Sequence, residues 1–61
     1  MTFKTTYARQ WYEYEYTARA QNNGLFTLSC YCTDQDGYYC AHKSYTRTDV
    51  PREEIDRLFQ M

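Results

Sequence analysis

YEYEYTARAQNNGLFTLSCYCTDQDGYYCAH, residues 12–42, is the stretch that decides the fold. It carries the same signal twice. Asn22-Asn23-Gly24 and Gln35-Asp36-Gly37 each read X-[Asn/Asp]-Gly between β-prone runs. A three-residue hairpin loop is a type I turn closed by a left-handed residue, where glycine has no Cβ to clash. A two-residue Asn-Gly or Asp-Gly turn is the competing assignment, and hydrophobic alternation separates the two.

With three-residue loops, Tyr14 faces Cys32, Tyr16 faces Cys30 and Ala18 faces Leu28. Across the second hairpin Cys32 faces Cys40 and Cys30 faces His42. These residues share one face with Tyr12, Ala20 and Phe26. The other face takes Glu13, Glu15, Thr17, Arg19, Thr27, Ser29, Thr33 and Lys43. Two-residue loops would set Glu15 against Cys32 and Arg19 against Leu28, and burying such charges costs several kcal/mol. The three-residue register is therefore expected, with the third strand ending near Thr46.

Beyond that strand, Asp49 reads as a helix N-cap, Pro51 sits in the first turn, and Glu53 and Glu54 suit the positive end of the helix dipole. Ile55, Leu58 and Phe59 then form one apolar stripe over a helix at 50–60. A helix so short needs a docking surface, and the apolar sheet face is the simplest. The expectation is an α+β domain spanning 1–61: a three-stranded antiparallel β-meander over 11–46 with one C-terminal α-helix packed on one face (βββα). Residues 1–10 are an N-terminal extension, the start of the first strand, a short strand of their own, or a segment lying against a second subunit.

Sixty-one residues make one small domain with a thin core, of the kind that gains from a metal, a disulfide or self-association. The net charge of −1 argues against a general phosphate-backbone binder. No apolar leader or membrane-length run is present, and three cysteines is an odd number, so a cytoplasmic, reducing location is expected.

Cys30-x-Cys32 and Cys40-x-His42 fall on one face of one hairpin, a possible Cys₃His zinc set. Zinc sites more often use Cys-x₂₋₄-Cys knuckles, and four parallel side chains on a flat sheet do not converge on a tetrahedron. A reduced, buried cysteine core is preferred over zinc, and over a Cys32–Cys40 disulfide. No cofactor is expected, and no catalytic set is visible: a Cys–His pair here lacks an orienting third group.

Eight tyrosines and aromatics at 20% of the chain are the compositional oddity. The face away from the helix is expected to carry Trp11, Tyr31, Tyr39 and Tyr45, fringed by Lys43 and Arg47. Exposed aromatic surfaces mark interaction sites. These six residues point to a non-enzymatic binding protein that engages another protein. Its size and style match small accessory or inhibitor proteins of phages and plasmids that block a host factor. Self-association through that face or a sheet edge is a related expectation. The alternatives are a zinc-stabilised interaction domain and a single-strand nucleic-acid binder stacking bases on Tyr31, Tyr39 and Tyr45; the acidic balance disfavours the latter.

Overall fold

The computed structural model describes residues 2–59. It is an α+β arrangement of one open antiparallel sheet in the order β1-β2-β3-β4, followed by one helix. The strands are β1 Thr2–Arg9, β2 Tyr12–Ala20, β3 Phe26–Asp34 and β4 Tyr45–Val50, and helix α1 is Arg52–Leu58. A single 3₁₀ turn, Ala41–Lys43, separates β3 from β4.

Four strands replace the expected three because the N-terminal segment folds back as its own strand. β1 pairs with β2 from Thr2↔Arg19 to Arg9↔Tyr12, leaving Gln10-Trp11 as a two-residue turn. Gln10 adopts φ 56°, a left-handed conformation in which glycine or asparagine would be the usual signal. The turn is therefore silent in sequence. The strand itself alternates: Phe3 and Thr5 are half-buried while Thr2, Lys4 and Thr6 are exposed.

The first expected hairpin forms in the expected register, with Tyr14↔Cys32, Tyr16↔Cys30 and Ala18↔Leu28. Gln21 N–H donates to Leu25 O at 2.8 Å, and Gly24 takes φ 84°. The second loop closes the same way: Asp34 N–H donates to Tyr38 O at 2.9 Å, and Gly37 takes φ 87°. The Asp34 carboxylate stiffens it by accepting from Asp36 N–H and Tyr38 N–H, both at 2.9 Å.

Past Cys40 the expected register fails. Thr33 still pairs with Tyr39, and Cys40 N–H donates to Cys32 O at 2.8 Å. The chain then leaves the sheet in the 3₁₀ turn and returns with Cys30 opposite Tyr45 rather than His42. Ser44 bridges the gap: its Oγ accepts from Cys32 N–H and donates to Cys40 O, each at 2.9 Å. The strand also continues to Val50 instead of stopping near Thr46. A bulge lies between the pairs Leu28↔Arg47 and Phe26↔Val50, and Asp49 within it has φ 58°.

Asp49 is thus a bulge residue and not the helix N-cap. Pro51 occupies the cap position with extended backbone and no side-chain cap bond. The helix is shorter than 50–60, and Gln60 lies outside the described residues. Glu53 and Glu54 sit in its first turn and Arg57 in its last, as the dipole favours. Seven residues cannot hold a helix alone. Ile55 is 2% exposed and closes the core made by Ala18, Phe26, Leu28 and Val50, with Phe3, Tyr16 and Phe59 packed around it. A fork from Arg47 to Glu54, 2.6 Å at its shorter arm, ties α1 to β4. Among the described residues no helix is long and apolar enough to cross a membrane.

Candidate interaction site

The cysteines separate from the histidine. Cys30, Cys32 and Cys40 are buried and all three are free thiols. Cys32 and Cys40 are cross-strand neighbours, with weak Sγ–H bonds to the carbonyls of Thr33 (3.9 Å) and Tyr38 (3.6 Å). His42 lies exposed on the 3₁₀ turn, because the register slip puts Tyr45 in the place expected for it. Cys30, Cys32, Cys40 and His42 therefore do not assemble as one set. Among the described residues no three His, Cys, Asp or Glu side chains are grouped to hold a metal.

Burial also sets the chemistry of these thiols. Desolvation pushes the Cys32 thiol up, and the neighbouring Cys40 adds to it. Cys30 is raised by burial as well, partly offset by the Tyr16 hydroxyl. Tyr16 itself is pushed up to about 12, first by burial and then by Cys30 and Tyr45. A thiol nucleophile needs the opposite shift. Cys30 and Cys32 are small apolar fillers.

The six residues expected on one aromatic face are divided between several places. Tyr31 and Tyr39 stack on each other with centroids 5.0 Å apart and planes at 24°, and each is about half exposed (51% and 55%). They stand on the face away from the helix, since Tyr31 pairs with Glu15, and Tyr39 with Thr33. Tyr45 pairs with Cys30, and Arg47 with Leu28, so both leave the sheet on the helix side. Arg47 is occupied by Glu54. Lys43 sits over the ring of Tyr12, 4.6 Å from its centroid, and also belongs to the helix side. Trp11 lies in the β1–β2 turn, 63% exposed, against a different groove bordered by Glu13, Thr33, Asp34 and Gly37.

Only Tyr31 and Tyr39 of the six bring their rings together, and Tyr45 borders the same groove from the strand that carries its own ring to the helix side. Tyr31, Tyr39 and Tyr45 line one groove of about 230 Å³ whose polar wall is Ser29, Ser44 and Thr46. The groove exists because the 3₁₀ turn interrupts the β3–β4 ladder there. Tyr45 also borders a second groove, of about 380 Å³, with Leu28, Arg47, Glu54, Arg57 and Leu58.

A further aromatic surface was not anticipated. Tyr7, Tyr14 and Tyr16 run across β1 and β2 on the helix side, with centroids 6.5 Å apart for Tyr7–Tyr14 and 6.3 Å for Tyr14–Tyr16. The alternation Tyr12-x-Tyr14-x-Tyr16 assigns these rings to the apolar face. What it does not tell is that a seven-residue helix packs against β3 and leaves much of that face open. A groove of about 400 Å³ lies there between Thr5, Tyr7 and Tyr16 on the sheet and Arg57 and Leu58 on the helix.

No protein-family model, no curated protein and no solved structure matches this chain.

Proposed function

We propose that this chain is a small non-catalytic binding protein that engages another protein through the stacked Tyr31–Tyr39 pair and the groove beside it, acting as an accessory or inhibitor that covers part of its partner's surface. The observation that carries the reading is the stacked Tyr31–Tyr39 pair, half exposed beside an open groove. A stacked pair is already ordered, so little side-chain entropy is lost when a partner seats on it. Tyrosine supplies apolar area and a hydroxyl at one position, and residues of this kind dominate binding energy at protein interfaces. The hydroxyls of Ser29 and Thr46 along the groove offer a polar rim. With a net charge of −1, a protein surface is favoured over a phosphate backbone as the occupant.

The test compares the wild-type chain with the double variant Tyr31→Ser/Tyr39→Ser and with Tyr38→Ser, which alters a 71% exposed ring outside the groove. A partner captured by the wild type should bind Tyr38→Ser with unchanged affinity and lose at least tenfold with the double variant. Unchanged binding by a folded double variant overturns the proposal. So does tight, salt-dependent binding of single-stranded oligonucleotides that the same double variant abolishes.

A further inference from the structure

The two edges of the sheet are built differently, and the difference points to a second copy of this chain. β4 carries the devices that keep an edge strand from pairing with another molecule. A 3₁₀ turn precedes it, a bulge with left-handed Asp49 bends it, and Pro51 follows it. β1 carries none of these. It is eight residues long, without glycine, proline or bulge, and reads Thr-Phe-Lys-Thr-Thr-Tyr-Ala-Arg. Of its two cations, Lys4 reaches across the sheet toward β2, with Nζ 3.6 Å from the Glu15 carboxylate, and Arg9 lies at the turn end of the strand.

The β1–β2 register determines which backbone groups are free. A two-residue hairpin closes on a pair that exchanges both hydrogen bonds, here Arg9↔Tyr12. Tyr7, Thr5 and Phe3 follow as hydrogen-bonded positions, so their N–H and C=O groups are spent on β2. Those of Thr2, Lys4, Thr6 and Ala8 point away from the sheet along the open edge.

We propose that β1 pairs antiparallel with β1 of a second copy about a two-fold axis at Thr5, joining two four-stranded sheets into one of eight strands. In that register Lys4 exchanges hydrogen bonds with Thr6 of the copy and Thr2 with Ala8, about eight backbone bonds in all. On the helix side Phe3 stands opposite Tyr7 of the copy. Phe3 is already half-buried, 6.2 Å from Phe26 and 6.3 Å from Phe59, whereas Tyr7 is 52% exposed. The dimer thus extends each core outward by one aromatic pair.

Neighbouring registers are worse. Moving the axis to Lys4 sets two lysines directly opposite, and moving it to Thr6 sets Phe3 against Arg9. The strand is self-complementary at Thr5, and that favours a copy of itself over a foreign strand. A chain with so thin a core gains stability from such pairing. The surface lies at the edge opposite the Tyr31–Tyr39–Tyr45 groove, so the two proposals stand or fall separately.

Sedimentation equilibrium from micromolar to millimolar concentration tests the association. Wild type should approach twice the monomer mass, and Thr6→Pro should stay at monomer mass with an unchanged circular dichroism spectrum, because the N–H it removes points off the edge. The register is tested by cysteine pairing under the thiol oxidant diamide. Thr5→Cys should form a covalent dimer across the axis, where non-hydrogen-bonded pairs bring Cα atoms within disulfide reach, while Thr2→Cys should not. A wild type that is monomeric at millimolar concentration overturns the proposal, as does a folded Thr6→Pro that still dimerises. Should Thr6→Pro fail to fold, the cysteine pair decides: equal cross-linking at positions 2 and 5, or none at 5, rejects the register.

Discussion

Gln21 and Asp49, 28 residues apart, hold each other through two hydrogen bonds: Gln21 Nε2–H donates to Asp49 Oδ1, and Asp49 N–H donates to Gln21 Oε1, both at 2.9 Å. Asn23 Nδ2 reaches the same carboxylate at 3.4 Å, and the Thr27 hydroxyl donates to Gln21 Oε1 at 3.1 Å. The pair fastens the β2–β3 turn to the β4 bulge. It supports the left-handed Asp49 that swings Val50 back into the core.

Removing that clasp should loosen the bulge. Gln21→Ala is expected to lower the melting temperature by roughly 4–8 °C, the scale on which one good contact is felt in a domain this small. Gln21→Glu, which places a carboxylate against Asp49, should lower it further at neutral pH, and the excess should vanish in acid once the carboxylates protonate. Thermal melts followed by circular dichroism check both. Equal melts for wild type and Gln21→Ala would show that the bulge holds without the clasp.

Acid should weaken the fold modestly through two solvent-accessible carboxylates. Hydrogen bonds from Gln21 and then Asn23 hold Asp49 below its ordinary range, and Arg47 does the same for Glu54. A depressed native value gives stability that is present above the unfolded value and lost as pH falls through the native one. The melting temperature is therefore expected to be flat down to about pH 5 and to fall below about pH 4. The double variant Asp49→Asn/Glu54→Gln should start lower at pH 7 and show a shallower acid slope. An unchanged slope counts against these two groups as its source.

Alkali should act through the core. Cys30, Cys32 and Tyr45 are raised by burial, and Tyr16 is raised to about 12. Groups with raised native values contribute stability that is complete below their unfolded values, about 8.5 for a thiol and 10 for tyrosine, and is lost as pH rises through the native ones. Stability should begin to decline near pH 9. In the native protein at pH 8 the three thiols should react slowly with an aromatic disulfide reagent and rapidly after denaturant is added. Fast titration of all three without denaturant would contradict their burial.

Two core and turn substitutions have calculable costs. Val50 is fully buried beneath α1, and Val50→Ala should cost about 2 kcal/mol. A Cβ at Gly37 would meet nothing within 4 Å, so Gly37→Ala should cost only the left-handed backbone term, about 1–2 kcal/mol, and Gly37→Asn less. Urea titrations measure each. A larger loss at Gly37 would mean that the loop is packed rather than merely twisted.

Much of this fold is written in local chemistry. Gly24 and Gly37 each require a left-handed backbone, and each closes the three-residue loop that the alternation of Tyr14, Tyr16 and Ala18 against Cys32, Cys30 and Leu28 selects. The N-terminal strand was harder to read, because Gln10 takes a glycine-like conformation without being glycine. The candidate site was half legible. Tyr31 and Tyr39 lie where the register puts them, whereas Lys43, Tyr45 and Arg47 lie on the other side of the sheet.

By itself, the sequence determined the phase of the first hairpin and of the second as far as Cys40, the shared burial of Ala18, Phe26, Leu28 and the cysteines, and the presence of a short helix near the C-terminus. Tertiary structure decided the rest, through one odd number. The 3₁₀ turn at Ala41–Lys43 delays β4 by three residues, so that Tyr45 replaces His42 opposite Cys30. Side chains alternate with a period of two, and an odd delay therefore exchanges the faces. Tyr45 and Arg47 cross to the helix side until the bulge at Asp49 restores the phase and delivers Val50 to the core. No single turn residue encodes that delay. It is stabilised by contacts formed only in the folded chain, with Ser44 bridging the broken ladder and Gln21 holding Asp49.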